Sequence, residues 1–161
     1  MKNWQKWLLG LGAFLTALAG GTQIDNLGSQ CGRGNYQERV MLNAVEANAT
    51  SSPFNVADFQ HIGVTISASS TSGTVKFGCS MSETAPTVST TPNLTNRWDY
   101  VEIVDLQNGS TIDGDTGIAM VNVTDVRQFE INTNNLRWCA AFMSENTGGT
   151  TTVHMLPANN S

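Results

Sequence analysis

Two stretches alternate between apolar and polar residues with a period of two, and they decide the fold class. Over 61–69, Ile62, Val64, Ile66 and Ala68 face one way, and His61, Gly63, Thr65 and Ser67 the other. Over 74–81, Val75, Phe77, Cys79 and Met81 share a face. Side chains of an extended strand point to opposite faces in turn, so this pattern predicts strands with one buried face. Further strands are predicted at 36–45, 97–106, 118–123, 126–131, 136–143 and 150–156, with turns at 132–135 and 146–149. A polar segment over 82–96, with Pro86 and Pro92, reads as a long loop. Asn108-Gly109 and Asp113-Gly114 mark turns between 107 and 117. No helical period appears after residue 35. The expectation is an all-β domain over 36–161, an antiparallel β-sandwich of about eight strands, jelly-roll-like.

The first twenty residues follow a different rule. Trp4, Trp7, Leu8, Leu11, Phe14, Leu15 and Leu18 recur at helical spacing and predict a short apolar helix over 1–20. Two functions fit it. Lys2 and Lys6, the apolar run Trp7–Ala19 and the small residues Ala17-Leu18-Ala19 match a secretory signal peptide. The same stripe, if retained, is an anchor that buries those seven side chains in a neighbouring subunit or a lipid surface. The run is shorter than the ~20 residues that span a membrane. Residues 21–35, with Gly21, Gly28, Gly32 and Gly34, form a flexible linker.

Charge narrows the class. Charged residues make up 13% of the chain and the net charge is −5, against a typical charged share of about 25%. After residue 6 the only lysine is Lys76. A general nucleic-acid binder needs a basic surface, and this chain lacks one. No Gly-x-Ser-x-Gly, His-Glu-x-x-His or phosphate loop occurs, so no enzyme and no cofactor are expected. His61 and His154 read as strand histidines on the polar face. Asp105, Asp113 and Asp115 are the weak candidates for a calcium loop. Calcium wants six to eight oxygens, and a tight Asp-Gly turn explains the same residues, so no metal is expected. Trp98, Tyr100, Phe129, Trp138 and Phe142 lie in strand contexts and are assigned to core packing rather than to stacking on sugars.

Three cysteines, Cys31, Cys79 and Cys139, allow at most one internal bridge. Cys79 and Cys139 both fall in apolar strand patterns and could pair across the core in an oxidising compartment. Three reduced cysteines packed as small hydrophobes fit equally well.

The succession Asn96-Arg-Trp-Asp-Tyr-Val-Glu-Ile-Val-Asp105, Gly114-Asp-Thr-Gly-Ile118, Phe129-Glu-Ile-Asn-Thr133, Leu136-Arg-Trp-Cys-Ala-Ala141 and Gly148-Gly-Thr-Thr-Thr-Val153 resembles the small β-sandwich virion proteins of tailed bacteriophages. Gly73-Thr-Val-Lys-Phe-Gly-Cys-Ser80 followed by Pro86 is similar to them as well. The resemblance covers about residues 54–156. It implies a non-enzymatic structural role in head decoration, a head fibre or a tail accessory, located in the virion. Its partners would be other virion proteins and copies of itself. The alternative is a secreted β-sandwich module for a glycan or protein ligand, exported and cleaved near Ala19. A membrane enters only if the N-terminal helix is a signal or an anchor.

Overall fold

The structure is a computed structural model that describes residues 38–88, 91–92 and 95–158. These residues form nine strands and no helix. The strands are β1 (Arg39–Val45), β2 (Ala49–Thr50), β3 (Phe54–Asn55), β4 (His61–Ser80), β5 (Asp99–Tyr100), β6 (Ile103–Asp105), β7 (Thr111–Ile112), β8 (Ile118–Asn132) and β9 (Trp138–Ala158). Every pairing is antiparallel, and the main path is β1-β9-β4-β8-β6-β7. β2 and β3 also pair with β9, and β5 pairs with β4. One hydrogen-bonded sheet therefore takes in all nine strands. The expected N-terminal helix and linker lie outside the described residues.

The strand boundaries correct the sequence reading. The runs 61–69 and 74–81 are one strand of 20 residues. The runs 118–123 and 126–131 are one strand of 15. The segment 146–149, expected as a turn, lies inside a strand of 21 residues. Conversely, 97–106 is broken into β5 and β6. The physical reason is a phase slip. In β4 the buried side chains are Ile62, Val64 and Ile66, then Thr71, Val75, Phe77 and Cys79, so the inward positions change from even to odd numbers. In β8 they change from Ile118 and Met120 to Phe129 and Ile131. A period broken by one residue reads as a loop in sequence, but a β-bulge breaks it without ending the strand.

The slips line up across the sheet. Left-handed backbone occurs at Ala44 in β1, Glu145 and Gly149 in β9, Ser70 in β4 and Asn122 in β8. Register shifts fall at the same level: between Leu42 and Val45, between Ser69 and Thr74, and between Ala68 and Gly73 against β8. Between the Ser69–Thr150 and Thr74–Ser144 pairs, β9 carries one more residue than β4. Side chains tie the bulges together. The Ser70 N–H donates to Thr124 Oγ1 at 2.9 Å, the Asn122 N–H to Ser72 Oγ at 2.8 Å, and the Ala44 N–H to Thr152 Oγ1 at 3.0 Å. Beneath them the buried Thr71 hydroxyl donates to the Thr150 carbonyl at 2.7 Å and accepts from Thr151 Oγ1 at 3.2 Å. These bonds matter because a buried hydroxyl without a partner costs about 1–3 kcal/mol.

Both halves of the long strands feed one core. Ile62, Val64 and Ile66 join Val75, Phe77, Ile118, Phe129, Val153 and Met155 in a single buried cluster. Full burial of each such side chain contributes ~1.5–3 kcal/mol. A second cluster, Trp98, Ala140 and Phe142, collects on the opposite face of the sheet. In consequence Cys139–Met143 is buried without alternation, because strand β9 is covered on both sides there.

Candidate functional site

The chemistry-bearing features concentrate where β4 ends and β9 begins. Cys79 and Cys139 sit directly opposite each other in the register and are joined by a disulfide, with Cα atoms 4.1 Å apart. Both are buried on the core side of the sheet. On the other side, Gly78 leaves room for Trp98: a Cβ at Gly78 would come within 2.6 Å of the indole and 2.8 Å of Phe142. Trp98 stacks on Phe142 with ring centroids 4.9 Å apart and planes 13° apart. Tyr100 meets both edge-on, at 5.3 and 5.6 Å. Such pairs add about 0.5–1.5 kcal/mol each beyond burial. Packing rather than exposed stacking is thus what Trp98, Tyr100 and Phe142 do, but against the outer face and not in the main core.

Backbone bonds fix the approach of this segment. The Ser80 hydroxyl donates to the Arg97 carbonyl, the Val101 N–H to the Phe77 carbonyl at 2.9 Å, and the Arg137 N–H to the Ser80 carbonyl at 2.8 Å. Arg97 itself is left-handed, with φ 51°, a conformation costing a non-glycine residue roughly 1–2 kcal/mol. Between these segments opens a cleft of about 570 Å³, walled by Cys79, Met81, Trp98, Val101 and Leu136, with Pro92, Ser80, Arg97 and Asp99 completing it. Its size and apolar lining suit a ligand site. Met81, expected inward, is 69% exposed on the cleft because β4 has ended at Ser80. The Trp98 indole N–H is buried and has no hydrogen-bond partner among the described residues.

Charges around the aromatic cluster are arranged tightly. The Lys76 ammonium donates to the Asp115 carbonyl and lies 4.8 Å from the Tyr100 ring centroid. Burial, and secondarily the nearby Asp115 and Asp99 carboxylates, push the Tyr100 phenol above its ordinary 10.0. The folded state therefore holds this proton more tightly than the unfolded chain. Stability from this group is complete below the unfolded pKa of ~10 and falls as pH rises through the folded value. Tyr100→Phe is expected to flatten the loss of stability above about pH 10; urea titrations on either side of that pH check it.

Of the weak calcium candidates Asp105, Asp113 and Asp115, the first two are engaged in local structure. Asp105 is buried and paired with the Arg127 guanidinium, which also lies 5.0 Å from the Phe129 ring centroid. Asp105 Oδ1 also accepts the Gln107 N–H at 2.9 Å. Asp113 Oδ1 accepts the Thr116 N–H at 3.0 Å, and the Asp113 carbonyl takes the Gly117 N–H at 2.9 Å, which makes a closed turn. Among the described residues no three histidine, cysteine or acidic side chains form a metal-sized group. His61 and His154 lie on the outer face, near Glu130 at 3.0 Å and Glu38 at 2.9 Å. The anchor candidates Trp4, Trp7, Leu8, Leu11, Phe14, Leu15 and Leu18 lie outside the described residues.

The cleft residues Met81, Arg97 and Leu136 were not visible as a group in the sequence. The nearest signal was the pair Trp98 and Tyr100, alternate residues directly after a polar loop.

No family model and no curated protein matches the sequence. Among solved structures, the fold is similar to the SPBc2 prophage-derived protein YomS, with a TM-score of 0.56 and 15% identity, over 76% of this chain and 92% of that one. The described residues thus form an all-β antiparallel fold, similar to that of a protein of prophage origin.

Proposed function

We propose that this chain is a non-enzymatic structural protein of a phage virion, held to the shell or tail by residues 1–20 and displaying the β domain as a two-layer sandwich. The observation that carries the reading is the shared fold, which extends over 92% of a prophage-derived protein. Two physical features support it. The sheet edges are broken: β1, β2 and β3 line one side of β9 in three pieces, and β7 at the other end of the path has only two residues. Short, interrupted edges suppress uncontrolled strand pairing in a protein crowded with its own copies. The low charge of 13% leaves a surface of amides and hydroxyls with few flexible lysines. One core receiving both halves of β4, β8 and β9 supports the sandwich reading.

The anchor is mechanical. Seven large apolar side chains, at ~1.5–3 kcal/mol each when fully buried, supply about 10–21 kcal/mol against the roughly 4–15 kcal/mol lost on association. Deleting residues 1–20 is expected to leave a folded domain whose occupancy in purified particles falls at least about tenfold, as counted by quantitative mass spectrometry of gradient-purified virions. Normal incorporation of the truncated chain would overturn the anchor.

The Cys79–Cys139 bridge supports a second reading, a secreted binding module, because disulfides persist in oxidising surroundings. The intact mass of the native protein separates the two: a start at Met1 or Lys2 keeps the anchor, and a start near Gly20 means export.

A further inference from the structure

We propose that Asn108 is a site of spontaneous covalent modification, where the Gly109 backbone nitrogen closes on the side-chain amide and converts the asparagine to aspartate and isoaspartate. Asn108-Gly109 is the one Asn-Gly pair in the chain; every other asparagine precedes a residue whose side chain shields the backbone nitrogen. Asn108, Gly109 and Ser110 are all exposed, in the turn between β6 and β7. A Cβ at Gly109 would meet nothing within 4 Å, so this peptide has room to rotate toward the side chain. Ser110 positions the reacting amide: its N–H and its hydroxyl both donate to Asn108 Oδ1, at 2.8 and 2.6 Å. Two donors on that oxygen draw charge from Cγ and stabilise the anion that forms when the nitrogen attacks. One contact opposes the reaction, because the Gly109 N–H donates to the Asp105 carbonyl at 2.8 Å. Opening one exposed hydrogen bond slows the step by roughly tenfold at most. The turn between β7 and β8 is a closed counterpart. Its Asp113-Gly114 pair has a buried glycine, and a Cβ there would lie 2.7 Å from the Tyr100 and Val101 backbone.

Water is the only co-reactant. The Gly109 nitrogen gives its proton to solvent and attacks Asn108 Cγ. A carbon–nitrogen bond forms, the Cγ–Nδ2 bond breaks, and ammonia leaves with a proton taken back from solvent, which leaves a cyclic imide. Water then opens the imide at Cγ to give aspartate, or at the backbone carbonyl carbon to give isoaspartate. Both products add a negative charge. The second routes the main chain through Cβ and Cγ and lengthens it by a carbon. That extra carbon falls in a turn closed by the Gly109 N–H on the Asp105 carbonyl and the Asp105 N–H on the Ser110 carbonyl, each at 2.8 Å. Strand β7 has two residues and pairs only with β6 among the described strands. The lengthened turn shifts β7 out of register and uncovers the edge of β6.

The test incubates the full-length, disulfide-intact protein at neutral pH and physiological temperature, digests it in acid, and follows each asparagine peptide by mass spectrometry with chromatographic separation of aspartate from isoaspartate. Asn108 is expected to convert at least about tenfold faster than any other described asparagine, with isoaspartate among the products. Gly109→Ala, whose Cβ has open space, should keep the circular dichroism of the fold and slow the conversion at least about tenfold. Ser110→Ala should slow it about threefold or more in the folded chain and leave the rate in urea unchanged. Asp113→Asn adds a second Asn-Gly pair in the closed turn and separates structure from sequence. The folded chain should convert this new amide at least about tenfold more slowly than Asn108, and urea should bring the two rates together. An Asn108 that stays intact in the folded chain would overturn the proposal. So would equal conversion at the two turns of folded Asp113→Asn, or a folded-state rate unchanged by Ser110→Ala.

Discussion

Gly149→Ala is expected to destabilise the domain by about 3–4 kcal/mol, while Gly148→Ala, one residue away, changes stability by no more than ~0.5 kcal/mol. Gly149 has φ +74°, and a Cβ there would lie 2.2 Å from the Ser69 carbonyl oxygen and 2.4 Å from Ser70 backbone atoms. The left-handed conformation alone costs an alanine roughly 1–2 kcal/mol, and overpacking against backbone that cannot rotate away adds about 1–3. At Gly148 a Cβ would meet nothing within 4 Å. Gly109, with φ +70° and open space, isolates the conformational cost and should lose about 1 kcal/mol. Thermal melts followed by circular dichroism would read Gly149→Ala as a fall of about 10 °C or more. Equal effects at Gly148 and Gly149 would show that the bulges do not depend on close backbone approach.

That series tests the feature that sequence reading missed. The alternation of Ile62, Val64 and Ile66 and of Val75, Phe77 and Cys79 was plain, and so was the all-β class. What alternation cannot distinguish is a turn from a bulge, because both shift the phase by one residue. The distinction lies in partners far along the chain: Ser70 is bonded to Thr124, and Asn122 to Ser72. Gly148-Gly149-Thr150 carries a turn composition, yet it serves the left-handed residue that lets β9 run on for 21 residues. The shortest strands, β2, β3 and β7, have two residues each and are held by register with neighbours, a signal too brief for any periodicity.

The candidate site was legible in pieces. Trp98 and Tyr100 stood out as aromatics, but their position on the outer face depends on Gly78 and Ala140, whose smallness opens the space that Trp98 and Phe142 fill. Arg97 gave no sign, since its place in the cleft wall rests on a left-handed backbone that composition does not reveal. Asp105 is only a weak calcium candidate in the sequence; burial beside Arg127 assigns it to holding β6 against β8.

Breaking the Cys79–Cys139 bridge is expected to lower stability by about 4 kcal/mol while leaving the fold intact. The two cysteines are 60 residues apart in sequence, and closing a loop of that length restricts the unfolded chain by roughly 4 kcal/mol in the chain-entropy description. In the folded state the bridge joins residues already paired by register, between Gly78–Ala140 and Ser80–Trp138. Its removal therefore costs the native sheet no pairing, and the loss falls on the unfolded ensemble. Urea unfolding of the oxidised chain and of Cys79→Ala/Cys139→Ala should show a midpoint lower by about 2 M in the variant, with native spectra superimposable before the transition. Because both sulfurs are buried, at 4% and 1% exposure, reductant alone should act slowly on the native protein and rapidly once urea opens it. A midpoint unchanged between the two chains would show that the bridge does not restrict the unfolded state. Rapid reduction without urea would place the sulfurs at the surface and remove the disulfide as the floor of the cleft. With the expected outcome, the bridge stabilises the fold in an oxidising medium, and the reduced chain reaches the same fold with about 4 kcal/mol less stability.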